Sequence, residues 1–173
     1  DDVYFSESGK TTLAEPWVRT LQVLSPTSAA MNFNVDIKNQ SATTQTGTIT
    51  GIITPGNIKF TQPLTLNPNE AKTLSLNKTL NNIKLWWPNG YGDPNLYNLS
   101  IKFTVAGKTS DSINTTFGIR KYTYDSLGNV LHISVNGKRI FLKGGNWGMS
   151  DYMLRCRGAE YETKLRFHKE MGM

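Results

Sequence analysis

Strict alternation of apolar and polar residues is the strongest signal along the chain. It runs over residues 31–38, where Asn, Asp and Lys separate the apolar positions, and again over residues 99–106. Because successive side chains of a β-strand point to opposite faces, each stretch predicts a strand with one buried face. Shorter versions of the pattern predict five further strands, at residues 18–24, 46–53, 57–62, 71–76 and 110–118.

Turn-forming residues separate these strands at intervals of about 8–12 residues. Pro, Gly and Asn dominate the breaks, as at residues 25–26, 55–56 and 67–69. This spacing is typical of a two-sheet β-sandwich of immunoglobulin-like type. We expect the sandwich to span residues 17–124, with residues 1–16 as an N-terminal linker. Cys156 is the single cysteine, so the inter-sheet disulfide of antibody domains is excluded.

The pattern changes after residue 124. A turn cluster at 125–129 leads to an alternating strand at 131–135, and Asn136-Gly137 then predicts a two-residue hairpin turn. A return strand at 138–143 precedes a Gly-rich polar loop, and a helix is predicted from about Ala159 to Gly172. One hairpin, one loop and one helix cannot bury an apolar face alone. The chain is therefore expected to stop inside a second domain, residues 125–173; the alternative is a short helical tail packed on the sandwich.

Composition and charge narrow the function classes. The 173 residues carry 19 basic and 13 acidic side chains, a net charge of +6, and 38% of the residues are apolar. The basic residues are scattered apart from a cluster near the C-terminus, whereas a nucleic-acid-binding face gathers them on one stripe. No run approaches the ~20 apolar residues of a membrane span. Neither a nucleic-acid partner nor a membrane span is expected.

Candidate catalytic chemistry is sparse. His132 and His168 have no Cys or His near them at metal-ligand spacing, so no metal site is predicted. Cys156 lies between two arginines, which favour a thiolate, but no base accompanies it and an inert thiol is expected. Glycoside hydrolysis needs two facing carboxyl groups, and Asp151 stands alone in its loop. No catalytic residue and no cofactor is assigned within the chain.

Two aromatic motifs remain. The first, LWWPNGYG at residues 85–92, contains adjacent tryptophans whose side chains should point to opposite sides of an extended chain. We expect one of Trp86 and Trp87 in the core and the other over a loop. The second places Asn146, Trp147 and Asp151 in a Gly-rich loop. An indole face beside short polar groups suits a sugar ring, so these three residues are the predicted substrate-binding set; packing of the loop is the alternative.

Three segments together resemble glycoside hydrolase family 2. LWWPNGYG, with the Leu-Tyr pair that follows it, resembles the immunoglobulin-like domain of β-mannosidase-type members. FGIRKYTYD at 117–125 resembles the exit strand of that domain. Residues 133–155 resemble the entry into the family's catalytic barrel, where an NGK hairpin leads to a G-x-N-W segment and an Asp. The resemblance covers about residues 17–173 and is nearest to β-mannosidases, exo-β-glucosaminidases and endo-β-mannosidases.

This resemblance implies a mainly β chain, in which the immunoglobulin-like sandwich precedes the truncated start of a (β/α)8 barrel. The first barrel strand would lie at about 140–143, so that Asn146, Trp147 and Asp151 would lie on the catalytic face. Trp147 and Asp151 would line the pocket for the terminal sugar. Family members are retaining enzymes with two catalytic glutamates. Both are expected beyond Met173, because a barrel takes ~250 residues. The parent would hydrolyse a β-mannoside or β-glucosaminide, and the fragment alone would be inactive.

The implied partners are a carbohydrate substrate and, within the parent, the barrel against which the sandwich packs. The alternative function is a non-catalytic sandwich module that binds carbohydrate or another protein. The compartment stays open, with secretion or the periplasm expected for members that digest external glycans. Four N-x-S/T triplets, which matter only in a host that glycosylates, begin at Asn39, Asn77, Asn98 and Asn114.

Overall fold

The chain forms two compact units. The computed structural model describes Val3, residues 7–146, Cys156 and residues 158–173. The first compact unit, which we name the sandwich unit, comprises Asp1–Leu85 and Asn95–Ile119. The second unit comprises Trp86–Pro94 and Arg120–Met173. The division therefore falls at 119–120 rather than at the predicted 124–125, and the second unit also takes a loop from the middle of the chain.

Two antiparallel sheets make up the sandwich unit. Its strands are β1 (Thr11–Ser25), β2 (Ser28–Asn39), β3 (Gln45–Thr54), β4 (Ile58–Leu66), β5 (Ala71–Asn81), β6 (Tyr97–Val105) and β7 (Lys108–Phe117). One sheet has the order β1-β2-β5 and the other β4-β3-β6-β7. The third and fourth strands thus join the second sheet, as in an immunoglobulin-like sandwich. All seven predicted strands are confirmed.

The N-terminal boundary of the sandwich differs from the prediction. β1 begins at Thr11, so the expected linker at 1–16 is wrong for its last six residues, 11–16. Thr11 pairs with Asn39 at the end of β2, and Leu13 is buried. An irregularity between Ala14 and Trp17 interrupts the alternation in β1, which is why the sequence pattern conceals this part of the strand.

The inward faces of the two sheets meet in an apolar core. Phe33 of β2 lies 5.5 Å from the ring centroid of Phe60 on β4 and 6.2 Å from that of Phe117 on β7. Met31 and Ile37, at the alternate positions of β2 on either side, are almost fully buried. Aromatic pairs of this geometry add to the free energy gained by burial of their surface. The two-residue period of β2 therefore builds the contact between the sheets.

The first part of β1 also bonds to β7, which belongs to the other sheet. The Gly9 N–H donates to the Ser110 carbonyl at 2.6 Å, and the Thr11 N–H donates to Ser110 Oγ at 3.0 Å. The Leu13 N–H donates to Asp111 Oδ2 at 2.7 Å. Because β1 pairs with β2 along its length, these bonds close one side of the sandwich.

Asn39 organises the loop after β2 from a fully buried position. Its Nδ2 donates to the carbonyls of Thr43 and Asn67, both at 2.8 Å. Its Oδ1 accepts from the Ser41 N–H and hydroxyl at 3.0 and 2.8 Å. The first N-x-S/T asparagine is therefore committed to internal bonds and is closed to a glycan, while the asparagines of the other three triplets are exposed.

The turn between β4 and β5 carries an ionic contact. The Asn67 N–H donates to the Glu70 carboxylate at 2.7 Å, and Lys72 lies 3.0 Å from the same side chain. The hydrogen bond from Asn67, followed by the contact with Lys72, lowers the pKa of Glu70 below its ordinary value.

The second unit contains three strands and one helix. Its elements are β8 (Tyr122–Leu127), β9 (Val130–Val135), β10 (Lys138–Ile140) and α1 (Gly158–Glu170). The strands form an antiparallel sheet of order β10-β9-β8. Asn136 and Gly137, both at positive φ, make the turn between β9 and β10, which confirms the predicted hairpin. No helix of the described residues is long and apolar enough to cross a bilayer.

Two sequence predictions in this unit are wrong. The turn cluster expected at 125–129 is reduced to Gly128 and Asn129, because Asp125 pairs with His132 and continues β8 to Leu127. The return strand predicted to reach residue 143 ends at Ile140. Residues 141–146 form no strand, so a first barrel strand at 140–143 is not observed. A strand needs a neighbour to complete its hydrogen bonds, and the described residues give this segment none.

The helix ends as the sequence predicts. Gly172 has φ 79°, a conformation that glycine adopts freely. The Met173 N–H donates to the His168 carbonyl and the Gly172 N–H to the Lys169 carbonyl, both at 3.0 Å. This pair of bonds is the Schellman arrangement, which satisfies carbonyls left over at a helix C-terminus. An ion pair of 3.0 Å between Glu160 and Lys164 supports the first turns.

Replacement of the buried asparagine gives a first test of this fold. We expect Asn39→Ala to lower the free energy of unfolding by about 2 kcal/mol, because buried carbonyls lose their donor. Chemical denaturation followed by tryptophan fluorescence measures the change. The matched control, Asn114→Ala on an exposed strand face, should change stability by less than about 0.5 kcal/mol. Equal effects of the two substitutions would contradict the structural role of Asn39.

Candidate functional site

The segment Trp86–Pro94, here called the aromatic loop, folds back on itself. Trp86 and Pro94 form an isolated β-bridge, and the Trp87 N–H donates to the Asp93 carbonyl at 3.0 Å. The Tyr91 N–H donates to the Pro88 carbonyl at 3.1 Å across a turn whose third residue, Gly90, has φ 80°. A type II turn requires this conformation at that position. The WWPNGYG sequence therefore specifies a compact, closed loop.

Close packing explains a second glycine of the loop. A Cβ atom on Gly92 would lie 2.9 Å from the side chain of Trp87. The indole therefore packs directly on the backbone, and any larger residue would displace it. Trp86 and Trp87 are both half-buried, so the expectation that one of them lies in the core is wrong. The reason is that the loop turns back at each end instead of extending as a strand.

Two side chains of the aromatic loop bind distant parts of the second unit. Asn89 Nδ2 donates to the carbonyl of Lys169 at 2.9 Å and to that of Met173 at 3.1 Å. Tyr91 Oη accepts from the Phe141 N–H at 2.7 Å, just after β10 ends. The loop thus connects the C-terminal end of α1 with the segment that follows the β9–β10 hairpin.

The hairpin turn is bonded to the same loop. Asn136 Nδ2 donates to the Trp86 carbonyl at 3.0 Å, and Asn136 Oδ1 accepts from the Lys121 N–H at 2.9 Å. The guanidinium of Arg120 lies 4.4 Å from the ring centroid of Trp86 and 5.7 Å from that of Tyr122. Cation–π contacts at this range are favourable. The FGIR and NGK motifs therefore meet at Trp86.

A cavity of about 570 Å³ opens beside this assembly. Its polar lining consists of Tyr91, His132 and Arg139, and its remainder consists of six apolar side chains from β9, β10 and the segment after β10. His132 Nδ1 lies 3.2 Å from Asp125 on the paired strand. None of the residues that line the cavity is an Asp or Glu. As described, it therefore holds no pair of carboxyl groups for glycoside hydrolysis.

Apolar side chains around the cavity are open to solvent. Phe141 is 74% exposed and Leu142 63%, and the β8–β9 hairpin adds Leu127, Val130 and Leu131. We call these five residues the apolar face. The helix has no buried residue, and it too exposes large side chains, among them Phe167. Four of the five residues of the apolar face line the cavity together. Large exposed apolar patches often mark interaction sites in soluble proteins.

The structure describes one of the three predicted substrate-binding residues. Asn146 is exposed at the end of the segment after β10 and does not line the cavity. Trp147 and Asp151 lie outside the described residues. The assignment of these three residues to a sugar pocket stays a prediction. Among the residues that the structure describes, no three His, Cys, Asp or Glu side chains are grouped to hold a metal ion.

Sequence reasoning missed the organising roles of Asn89, Tyr91 and Asn136. Apart from Lys121, which bonds Asn136 from 15 residues away, their partners lie 50 to 84 residues away along the chain. No periodic pattern reports such contacts. The available signal was the density of Asn, Gly and aromatic residues in the loop, which exceeds what a simple connection between strands needs.

Comparison with known proteins finds relatives that are named as glycosidases. The family model described as "Glycosyl hydrolases family 2" matches residues 11–120. The exo-beta-D-glucosaminidase of Streptomyces avermitilis is 30% identical over 181 aligned positions, which cover 99% of this chain and 20% of the relative. The mannosylglycoprotein endo-beta-mannosidase of Lilium longiflorum is 43% identical over 91 positions, which cover 51% of this chain and 10% of the relative.

A solved structure agrees with these relatives. The beta-D-mannosidase of Dictyoglomus thermophilum superposes with a TM-score of 0.83 at 26% identity. The match covers 97% of this chain and 21% of that one. The chain thus spans about a fifth of the length of the proteins that it matches from end to end.

Removal of the Asn89 side chain tests how the second unit is held. We expect Asn89→Ala to speed amide hydrogen exchange at Gly172 and Met173 about fivefold, because the helix end loses two bonds worth about 1 kcal/mol together. Exchange is followed by NMR. Asn95→Ala, which removes a bond to the Leu85 carbonyl in the sandwich unit, serves as the control and should leave these amides unchanged. Identical exchange in Asn89→Ala and the unaltered chain would refute the role of the loop.

Proposed function

The chain belongs to glycosyl hydrolases family 2, and from that membership we propose that it forms the immunoglobulin-like sandwich and the start of the catalytic barrel of a longer retaining β-glycosidase. The relatives named above are glycosidases. Their aligned regions make up only 10–20% of their own length. We therefore assign glycoside hydrolysis to the parent protein, with the present chain as one of its structural parts.

The apolar face carries this proposal. Burial of a large apolar side chain stabilises a protein by about 1.5–3 kcal/mol. A partner surface that covered the five exposed side chains of the apolar face would therefore stabilise the second unit substantially. A barrel strand also needs parallel neighbours on both sides. In the proposed parent, the remaining barrel strands would pair with residues 141–146 and cover Phe141 and Leu142. This would make the segment after β10 the first barrel strand.

The proposed sugar-binding role of the following loop rests on barrel geometry. Active sites of (β/α)8 barrels lie at the C-terminal ends of the strands. If residues 141–146 form the first strand, Asn146 is its last residue, and Trp147 and Asp151 follow its C-terminal end. An indole offers a flat apolar face to a sugar ring, and the amide and carboxylate can bond its hydroxyls.

Catalysis is proposed to come from two glutamates beyond Met173. A retaining glycosidase uses one carboxyl group as acid and base and the other as the nucleophile that forms a glycosyl-enzyme intermediate. The cavity in the second unit offers no such pair. The chain alone is therefore proposed to be inactive. The substrate of the parent is a β-mannoside or a β-glucosaminide, in keeping with the names of the relatives.

Sequencing the source gene and assaying its product test the proposal. We expect an open reading frame that continues past Met173 through a barrel with two glutamates at later strand ends. The full product should hydrolyse an aryl β-mannoside or β-glucosaminide, and residues 1–173 alone should not. A stop codon soon after Met173 would instead favour a non-catalytic sandwich module that binds carbohydrate or another protein.

The apolar face yields a prediction with opposite outcomes in two settings. In the 173-residue chain, we expect the double substitution Phe141→Ser and Leu142→Ser to lower the fluorescence of a bound apolar dye without loss of stability, because both side chains are exposed. In the full parent, the same change should lower the free energy of unfolding by about 2 kcal/mol or more per residue. Leu24→Ser, at an exposed position of β1, is the control in both settings. No destabilisation of the parent would refute barrel packing on this face.

A second prediction concerns the indole of the loop. In the full parent, Trp147→Ala should lower kcat/KM for the preferred aryl β-glycoside about a hundredfold, because the sugar loses its stacking surface and its orientation. Trp147→Phe should restore part of the activity. Thermal unfolding should show that the sandwich is unaffected. Unchanged kinetics in Trp147→Ala would remove this residue from the pocket.

A further inference from the structure

The outward face of the sheet β1-β2-β5, here called the outer face, has an unusual composition. The in-register pairs Trp17–Asn34 and Arg19–Asn32 connect β1 with β2, and Ser75 and Asn77 of β5 lie opposite the same two asparagines. Amide, hydroxyl and indole groups thus lie side by side across three strands. Long flexible charged side chains, which dominate ordinary exposed strand faces, are few among these positions.

A β-bulge brings the tryptophan to this face. Ala14 pairs with Asp36 and Trp17 with Asn34, so β1 contains one extra residue between these pairs. Glu15 in the bulge has φ 47°, which is uncommon for a residue with a side chain. A shift of one residue moves side chains to the opposite face of a sheet. Without the bulge, Trp17 would point into the core and Val18 outward.

The indole is open to solvent and held in position. Trp17 is 59% exposed, a large fraction for the largest apolar side chain on a sheet. The Arg19 guanidinium lies 5.4 Å from its ring centroid. Such a contact orients the ring and covers one of its two sides. The exposed area thus includes an aromatic surface that no other described side chain covers.

The neighbouring amides are preorganised. Asn32 is buried, and its Nδ2 donates to Ser75 Oγ at 2.9 Å and to Asn77 Oδ1 at 2.8 Å. Asn34 Nδ2 donates to Asn32 Oδ1 at 2.7 Å. These bonds fix the amide planes, and they use neither the Asn34 side-chain oxygen nor the Asn77 side-chain nitrogen. A ligand that binds here would therefore lose little further entropy by fixing these amide side chains.

A concave surface continues from this array. A cavity of about 420 Å³ lies over the next pair along the strands, Ala14 and Asp36. Small side chains of β1 and β5 line it together with Lys38 and Lys72. Asp36 accepts a hydrogen bond from the Thr73 hydroxyl and provides a carboxylate within the cavity. Asp36 lies two positions after Asn34 along β2, a distance of about 7 Å along the strand. The cavity and the indole are thus adjacent sites along one line.

From these features we propose that the outer face binds a neutral β-linked oligosaccharide whose chain runs along β2. One sugar ring stacks on Trp17 and bonds Asn34 and Asn77, and the next occupies the cavity above Asp36. A sugar ring combines an apolar C–H face with hydroxyl groups that both donate and accept. The outer face offers the complement of each. This proposal does not depend on the proposed hydrolytic function.

The composition of the face argues against other occupants. A polyanion needs a row of basic residues. The outer face carries Arg19 at the level of Asn32, and the two lysines that line the cavity share it with the carboxylate of Asp36. An amphipathic helix needs an apolar groove, whereas amides and hydroxyls fill the centre of this face. A further domain of the parent that covers Trp17 is the competing occupant, and the binding experiment distinguishes it.

The test is titration of the ¹⁵N-labelled 173-residue chain with cellohexaose and with mannohexaose, followed by NMR. We expect millimolar or tighter binding of at least one sugar, with shifts at the Trp17 indole N–H and at the side-chain amides of Asn34 and Asn77. Residues of the second unit should not shift. A loss of affinity of about tenfold or more is expected for Trp17→Ala, and partial retention for Trp17→Phe.

Controls keep the outcome decisive. Leu24→Ala removes an exposed apolar side chain from the far end of β1 and should bind as the unaltered chain does. Asn34→Ala should weaken binding several-fold, and thermal unfolding confirms that each variant is folded. The proposal is overturned if neither hexasaccharide binds, if Trp17→Ala retains full affinity, or if the shifts fall on the second unit. The last result would instead support a sugar site there.

Discussion

The two-residue period of β2 underlies both faces of its sheet. Met31, Phe33 and Ile37 point inward and join the two sheets, whereas Asn32 and Asn34 point outward and form an ordered amide array. The two sets are fixed by the same pairing register, because a shift of the register by one residue would turn the inward side chains outward and the outward ones inward. β1 stays paired with β2 through three shifts of register, and the first of them, the bulge after Ala14, places Trp17 beside Asn34. The register of β2 therefore determines both the packing of the core and the side chains on the surface of this sheet.

The sequence predicts those parts of the fold that have a local cause. Alternation located all seven strands of the sandwich, Asn136-Gly137 located the hairpin, and Gly172 located the end of the helix. Prediction from the sequence failed where the local pattern disagrees with the strand pairing of the folded chain. The start of β1 was missed because Glu15 and Pro16 break the alternation. Residues 125–127, at the end of β8, were assigned to a turn because Asp and Ser favour turns, although these residues pair with β9.

Prediction of the site was limited for a different reason. The motif LWWPNGYG supported the family resemblance, yet its physical task became visible only through contacts with α1 and with the hairpin. Asn89 and Tyr91 act over distances along the chain that no pattern encodes. The substrate-binding set of Asn146, Trp147 and Asp151 rests on resemblance and loop composition, and the structure describes Asn146 alone among them. The outer face was likewise invisible in the sequence, since the bulge decides where Trp17 points.

The bonding of β1 to both sheets has a mechanical consequence. Its long ladder with β2 and its bonds to Ser110 and Asp111 of β7 are arranged side by side along the strand. A tensile force applied near Gly9 would load many of these bonds in shear at once, instead of opening them one after another. Since forced unfolding depends on the rate of escape over the barrier, such a strand acts as a clamp. The sandwich unit would thus resist a pull on the residues that precede β1.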